Sequence, residues 1–280
     1  MATEMDTEMA AKRHTGTNSG TNNGPQGATQ DTTTAHIEVR NLTAAYGERI
    51  IQQDLNFSVA RGDTFIIMGG SGCGKSTVLR HLIGLQQPAK GEVLINNISF
   101  TAAPPEAQAK IKRNMGVLFQ SGALFSSMTL AENIALPLSE YTTLGNSEIN
   151  DVIAYKLALV GLSGCEPLYP AEISGGMRKR AGLARAMALD PEILFFDEPS
   201  AGLDPINARH LDELILELRA SLGTTIVVVT HDLASIFAIG NSGIFLDTES
   251  KSIIARGNPK QLRQHCQDTR VRAFLNRGEI

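Results

Sequence analysis

A glycine-rich segment that ends in one lysine and two hydroxyl residues carries the strongest chemical signal in the sequence. It fits the pattern GxxxxGK[S/T] and reads Gly69-Gly70-Ser71-Gly72-Cys73-Gly74-Lys75-Ser76-Thr77. Glycines let the backbone approach phosphate oxygens closely, and successive N–H groups present partial positive charge to an anion. Lys75 is suited to bind β- and γ-phosphates, and the Ser76 hydroxyl is suited to ligate Mg²⁺. We therefore predict a site for a nucleoside triphosphate with Mg²⁺.

Two adjacent carboxylates follow a short apolar run further along the chain. The run is Ile193–Phe196, and the acidic residues are Asp197 and Glu198. Taken alone, such a pair is typical of an exposed loop. Ligands of open α/β sheets bind at the carboxyl ends of strands, which predicts that the pair lies beside the glycine-rich loop. We expect Asp197 to hold Mg²⁺ through water and Glu198 to polarise the water that attacks the γ-phosphate.

Alternating buried strands and helices are predicted to hold these residues in place. A short apolar strand, TFIIM, precedes the glycine-rich loop, and the helix-like segment STVLRHLIGLQ follows it. PEILFFDE and TTIVVVTHD have the pattern of further buried strands, and residues 129–190 are mostly helix-like. The predicted fold class is α/β with a helical insertion. One face of the first helix is predicted to consist of Val78, Leu79, Leu82, Ile83 and Leu85.

Composition limits the remaining possibilities. Residues 1–34 contain no Val, Ile, Leu or aromatic residue, so we predict a disordered tail there. The formal net charge of −4 argues against a general nucleic-acid coat protein. We find neither a signal-peptide core nor an apolar run of the roughly 20 residues that span a bilayer. Three scattered cysteines form no disulfide framework, which favours a reducing cytoplasm.

A third motif, Ile173-Ser174-Gly175-Gly176-Met177, precedes a helix rich in Arg and Ala. At this point the sequence resembles the ATPase subunits of ABC transporters, whose signature reads LSGGQ. Other motifs of that family occur in order. Tyr46 looks like the aromatic residue that stacks on adenine, Gln120 like the glutamine that senses metal and water and faces the membrane partner, and His231 like the histidine that contacts the γ-phosphate. Considered singly, Tyr46 is more typical of a half-buried packing residue, and His231 of an ordinary loop residue.

The resemblance covers nearly all of residues 36–255 and implies a fold. We expect a P-loop NTPase (RecA-like) ABC ATPase core at residues 35–255, with an inserted α-helical subdomain at about 129–190 and a C-terminal helical extension at 256–280. Cys73 is expected to be a small filler in the loop that bound ATP shields from alkylation. Ser200-Ala201-Gly202-Leu203-Asp204 looks like the loop that crosses to the opposite subunit.

The signature motif also predicts dimerisation. Ser174 and the amides of Gly175 and Gly176 begin a helix, which makes a second anion-binding terminus in a chain that already has one. A head-to-tail homodimer with two ATP molecules between its subunits would use both, as in the family. Met177 replaces the glutamine that is usual in the family. Any polar contact that this glutamine makes is therefore absent here.

Three stretches narrow the resemblance to the ATPases of Mla-type phospholipid transporters associated with MCE-domain proteins. They are SGGM, LFQSGALFSSMTLAENIALPL and RVRAFLN. The resemblance implies a Mg²⁺-dependent ATPase on the cytoplasmic face of the bacterial inner membrane, which moves phospholipid between the inner and outer membranes and maintains outer-membrane lipid asymmetry. Its implied partners are permease subunits, an MCE-domain lipid-binding protein and a small accessory cytoplasmic subunit, with no nucleic acid. The basic C-terminal segment is either a solvated helical end or a contact with a partner or membrane.

Three other functions remain open from the sequence. One is an importer ATPase for a small solute such as an amino acid or a metal. Another is a nucleic-acid-associated ABC ATPase, although these usually carry coiled-coil insertions or tandem cassettes and the net charge here is −4. The last is a regulator that only binds nucleotide, against which the intact Glu198 argues.

Overall fold

A computed structural model describes residues 35–277. The predicted tail at 1–34 and the last three residues of the predicted C-terminal extension lie outside the described residues. A four-stranded antiparallel sheet has the order β2-β1-β4-β5. Its strands are β1 (Ala35–Tyr46), β2 (Arg49–Ala60), β4 (Lys90–Ile95) and β5 (Ile98–Ser99).

The second sheet has six strands in the order β10-β9-β3-β8-β7-β6. All its pairings are parallel except that of β9 with β10. The strands are β3 (Thr64–Gly69), β6 (Met115–Leu118), β7 (Ile193–Asp197), β8 (Thr225–Val229), β9 (Ser242–Leu246) and β10 (Ile253–Arg256). Because β8 lies between β3 and β7, the loops after these three strands emerge at one edge.

Both faces of this sheet are covered, which explains its continuous apolar strands. Ile66 and Met68 of β3 belong to the core on the side of the helices that follow β6, whereas Phe65 and Ile67 belong to the core shared with the antiparallel sheet. In this second core the rings of Phe57 and Phe65 stack with centroids 5.4 Å apart. The sheet is therefore held rigidly from both sides.

The helices α1 (Lys75–Leu82) and α2 (Pro105–Arg113) precede β6. The prediction that Leu85 extends the buried face of α1 is wrong, because α1 ends at Leu82 and the side chain of Leu85 is exposed. Gly84 adopts a φ of +66°, and the Leu85 amide donates back to the Arg80 carbonyl at 2.9 Å. This left-handed termination turns the chain out of the helix.

Three helices occupy most of the stretch between β6 and β7: α3 (Leu130–Tyr141), α4 (Asn146–Leu159) and α5 (Gly175–Ala186). Thr129 and Glu132 form a capping box at the start of α3. Buried Asn133 accepts from the Phe125 amide at 2.8 Å and donates to the Phe125 carbonyl at 3.1 Å. These bonds fasten the loop that follows Gln120 to α3.

Four further helices complete the described chain: α6 (Pro205–Leu222), α7 (Leu233–Ile239), α8 (Pro259–His265) and α9 (Thr269–Leu275). The basic C-terminal segment is not simply solvated, since α9 buries Val271 and Leu275. Arg270 pairs with Asp247 at 2.8 Å. None of the helices within residues 35–277 combines the length and apolar character needed to cross a membrane.

Candidate nucleotide-binding site

The glycine-rich loop joins β3 to α1 and needs its glycines for steric reasons. Gly69 has a φ of +148°, and a Cβ there would lie 2.4 Å from the Leu246 carbonyl oxygen. Gly74 has a φ of +96°, and a Cβ there would lie 2.5 Å from Ile51 Cγ2. Beside Gly70 and Gly72 the space is open. The loop is therefore packed where it meets the protein and accessible to a ligand elsewhere.

Lys75 begins α1, and its side chain turns back over the loop. Its Nζ donates to the carbonyl oxygens of Gly69 at 3.1 Å and Gly70 at 3.0 Å. An ammonium has three donors, so these two bonds orient the group while one donor remains for an anion. Neighbouring Cys73 is buried, and burial raises the pKa of its thiol. The side chain of Cys73 is 1% exposed, and its shielding from alkylation by ATP stays a prediction.

Ser76 and Asp197 come together across the sheet edge. The Ser76 hydroxyl donates to Asp197 Oδ1 at 2.8 Å. Burial raises the pKa of Asp197, while this hydrogen bond opposes that effect. A hydroxyl and a carboxylate are oxygen ligands of the kind that Mg²⁺ prefers. Residues 35–277 contain no group of three or more His, Cys, Asp or Glu side chains suited to a metal, so a Mg²⁺ here would take its other ligands from phosphate, water and neutral side chains such as that of Gln120.

Glu198 and His231 form a second pair at the same edge. His231 Nδ1 and Glu198 Oε1 are 2.8 Å apart, in a hydrogen bond that couples the ends of β7 and β8. The Glu198 side chain is 12% exposed, whereas that of His231 is 57% exposed. The Glu198 backbone has a φ of +50°, and its amide donates to the Val229 carbonyl at 2.8 Å. A largely buried carboxylate oriented by an imidazole is suited to act as a general base.

Lys75, Ser76, Glu198 and His231 line one cleft of about 630 Å³, whereas Asp197 lies behind its wall, bonded to Ser76. Tyr46 lies at the end of β1, and its hydroxyl accepts from Arg80 at 2.9 Å. A hydrogen bond from Thr77, with a smaller contribution from Arg80, holds the pKa of the Tyr46 phenol below its usual range. The cleft is lined by Tyr46, Arg49, Ile51, Ser71, Gly72, Gly74, Lys75, Ser76, Thr77, Gln120, Glu198 and His231.

The signature residues do not line this cleft. Ser174 is the N-cap of α5, where its hydroxyl accepts from the Met177 amide at 3.2 Å, and Gly175 beside it is exposed. Asp204 caps α6 by accepting from the Asn207 amide at 3.1 Å. A Cβ on Gly176 would lie 3.3 Å from Asn207 Oδ1, so the two capped termini are neighbours.

The structure reveals two buried polar side chains that the sequence analysis missed. Gln52 on β2 donates from Nε2 to the carbonyl oxygens of Cys73 at 2.7 Å and Asp247 at 2.9 Å, which braces the phosphate loop. Lys179 on α5 contacts the backbone that follows Glu198. No sequence motif marks Gln52, whereas Lys179 stands within the basic run after the signature glycines.

This fold and cleft define the class of protein. Residues 52–201 match the family model described as ABC transporter, and the chain belongs to this family. A solved dimeric ATP-binding cassette in a post-hydrolysis state with ADP and Pi superimposes with a TM-score of 0.73 at 30% identity, covering 79% of this chain and 98% of that one. The predicted family, fold class and ATPase activity are confirmed.

Two groups of relatives are more similar to this chain in sequence than that cassette is. The chain is 41% identical over 243 residues to the intermembrane phospholipid transport system ATP-binding protein MlaF of Haemophilus influenzae, covering 87% of this chain and 90% of the relative. It is 42% identical over 245 residues to the probable ribonucleotide transport ATP-binding protein mkl of Mycobacterium tuberculosis, covering 87% of this chain and 67% of the relative.

Proposed function

We propose that this chain binds Mg·ATP in the cleft beside the glycine-rich loop and hydrolyses it within a head-to-tail homodimer that drives a phospholipid transporter. The observation that carries the hydrolytic part is the Glu198–His231 contact of 2.8 Å on the rim of the cleft that holds Lys75 and Ser76. A phosphate-binding loop and an oriented base thus face one space. A regulator that only binds nucleotide would not need an oriented base.

Each residue around the cleft has a separate role in the proposed hydrolysis. Lys75 and the loop amides bind the β- and γ-phosphates, and Tyr46 stacks on the adenine. Ser76, Gln120 and, through water, Asp197 would hold Mg²⁺, which would neutralise charge on the phosphate oxygens. Glu198 accepts the proton of the attacking water while His231 orients its carboxylate and contacts the γ-phosphate. The water oxygen bonds to the γ-phosphorus as the bond from that phosphorus to the bridging oxygen breaks, and ADP and phosphate leave.

The second subunit completes each site. Ser174, Gly175 and Gly176 start a helix of 12 residues at a place outside their own chain's cleft. Because a helix N-terminus favours an anion, this terminus is suited to the γ-phosphate of an ATP held by the partner. Asp204, on the neighbouring terminus, lies on the loop that crosses between subunits. ATP binding then closes the dimer, and hydrolysis reopens it.

Phospholipid is the proposed cargo because of how the relatives align. The match covers 90% of the phospholipid-transport relative but 67% of the relative named for ribonucleotide transport. Integral-membrane permease subunits provide the path, with an MCE-domain lipid-binding protein and a small accessory cytoplasmic subunit. The chain is bound peripherally at the cytoplasmic face of the inner membrane. A small-solute transporter is the second candidate, favoured by the identity of 42% to the ribonucleotide relative.

Affinity purification of the tagged chain from detergent-solubilised membranes tests the cargo. We expect a permease, an MCE-domain protein and bound phospholipid to co-elute, as identified by mass spectrometry and lipid extraction. A tagged Lys75→Ala variant controls for contacts that depend on nucleotide. Co-elution of a small-solute binding protein without an MCE-domain protein would instead establish the second candidate.

A further inference from the structure

The side chain of Lys179 joins the signature helix to the catalytic segment of the same chain. Lys179 lies on α5, five residues after the N-cap Ser174, and is buried. Its Nζ donates to the carbonyl oxygens of Glu198 at 3.2 Å, Pro199 at 2.6 Å and Ala201 at 2.6 Å. An ammonium has three N–H donors and no acceptor, so these three carbonyls satisfy it completely.

Burial of the Lys179 ammonium costs free energy unless hydrogen bonds or opposite charges offset it. Desolvation by burial lowers the pKa of Lys179, and the negative charge of Glu198 opposes that effect. The neighbouring basic residues on α5 have other partners: Arg178 donates to the Ile173 carbonyl, and Arg180 to those of Val160 and Gly161. Lys179 alone among these three reaches the segment after β7.

The segment that Lys179 holds is one whose backbone needs support. Glu198 has a φ of +50°, a left-handed conformation that costs free energy for a residue with a Cβ and persists only when its surroundings enforce it. The Glu198 amide is held by the Val229 carbonyl, and the Glu198 carbonyl accepts from both the Ala201 amide and Lys179. The direction of the Glu198 carboxylate depends on this conformation.

We infer that Lys179 is a positioning residue that fixes the backbone of Glu198 and couples the signature helix to the general base. The inference rests on the proposed function, which assigns Glu198 as base and α5 as the helix facing the partner's ATP. When α5 moves toward the partner's nucleotide, the three hydrogen bonds carry that displacement to the Glu198–Ala201 segment of the same subunit. Each subunit would thus align its own base as it completes its partner's site.

Substitution of Lys179→Gln tests this role in the full-length protein. We expect kcat for ATP hydrolysis to fall by about 10- to 100-fold, since a small misplacement of a catalytic group has effects of that size. The KM and the affinity for a fluorescent ATP analogue should stay within about 2-fold, because Lys179 makes no contact with the phosphate loop. The Hill coefficient for ATP should fall toward 1. A raised KM with unchanged kcat would overturn the inference.

Arg180→Gln is the matched control. Arg180 is a cation on the same helix, but it donates to the carbonyls of Val160 and Gly161 after α4 rather than to the segment after β7. We expect its kcat and Hill coefficient to be those of the wild type. If Lys179→Gln does not fold, Lys179→Arg decides the matter. A planar guanidinium cannot meet three carbonyls that converge on one atom, so lowered kcat with unchanged KM supports the inference, and wild-type kinetics contradicts it.

Glu198→Gln and the double variant separate this inference from the proposed function. If Glu198 is the base, Glu198→Gln turns over very slowly, and adding Lys179→Gln lowers turnover no further because both act through one group. Near-normal turnover of Glu198→Gln would remove the base assignment itself. Slow Glu198→Gln with normal Lys179→Gln would refute only the role of Lys179.

Discussion

At the residue scale, the site consists of side chains held by hydrogen bonds before any ligand arrives. Lys75 is oriented by two loop carbonyls, Ser76 by Asp197, and His231 by Glu198. Preorganisation of this kind reduces the entropy and reorganisation that catalysis must otherwise overcome. The roles assigned to these residues remain predictions, and each pairing offers a variant that tests one role.

Glu198→Gln should separate ATP binding from hydrolysis. The amide keeps the size of the carboxylate but cannot accept the proton of water, so we expect kcat to fall by about 100-fold or more. ATP affinity should remain near that of the wild type, because Lys75 and the loop are untouched. Phosphate release and binding of a fluorescent ATP analogue measure the two effects. Loss of both in parallel would mean that Glu198 is a binding group.

At the element scale, the packing of α6 on α7 contains a buried carboxylate outside the nucleotide cleft. Asp212 on α6 accepts from the Ser235 hydroxyl of α7 at 2.9 Å, and its Oδ1 has no hydrogen-bond partner among the described residues. Burial, with added repulsion from Asp232 and Glu213, raises the pKa of Asp212 from 3.8 to about 6. The folded state therefore binds a proton that the unfolded state releases.

This shift predicts a pH-dependent stability. Because the folded pKa lies above the unfolded one, stability falls as pH rises between 3.8 and about 6 and stays lower above that. Asp212→Asn should raise the unfolding free energy near pH 8 by up to about 3 kcal/mol, and by less near pH 5. Thermal unfolding at both pH values measures this. The control is Glu217→Gln, which removes an exposed carboxylate from the same helix that does not act on Asp212. An equal gain at both pH values for Asp212→Asn would contradict the account.

At the scale of the whole molecule, the capped N-termini of α5 and α6 lie outside the nucleotide cleft of their own chain. The cleft residues come from β1 and β2, from the loop and helix after β3, and from the loops after β6, β7 and β8. Ser174 and Asp204 instead cap the starts of α5 and α6. Under the proposed function, these termini complete the site of a second copy of the chain. The dimeric cassette with ADP and Pi, similar to this chain, supports that arrangement.

Glu198→Gln should trap the closed dimer in ATP with Mg²⁺. We expect size-exclusion chromatography with light scattering to show a dimer that persists, because hydrolysis no longer reopens it. The control is Glu198→Gln combined with Lys75→Ala, which should stay monomeric because ATP binding is lost. A dimer in the control would show that association is independent of nucleotide.

Removal of residues 1–34 should leave hydrolysis intact. The residues that line the cleft all lie at Tyr46 or beyond, so we expect kcat and KM within about 2-fold of the full chain. Steady-state phosphate release from the truncated protein measures this. A large fall in kcat would assign the segment a part in the cycle.

Local sequence determined the phosphate loop, the acidic pair and the strands that precede them, because a motif of consecutive residues and a run of buried apolar side chains are both short-range signals. The predicted α/β class followed from the same runs. The position of Leu85 was predicted wrongly, because the helical periodicity of apolar residues continues past Gly84. The left-handed turn at Gly84 ends α1 before Leu85.

Only the tertiary structure decided which distant groups meet. Glu198 and His231 are paired because β7 and β8 are neighbours in the sheet, and Gln52 reaches Cys73 because β2 lies over the loop. Lys179 meets three carbonyls only where α5 packs against the segment after β7. Such contacts depend on the burial and packing of several elements at once, and no spacing within a single stretch of sequence encodes them.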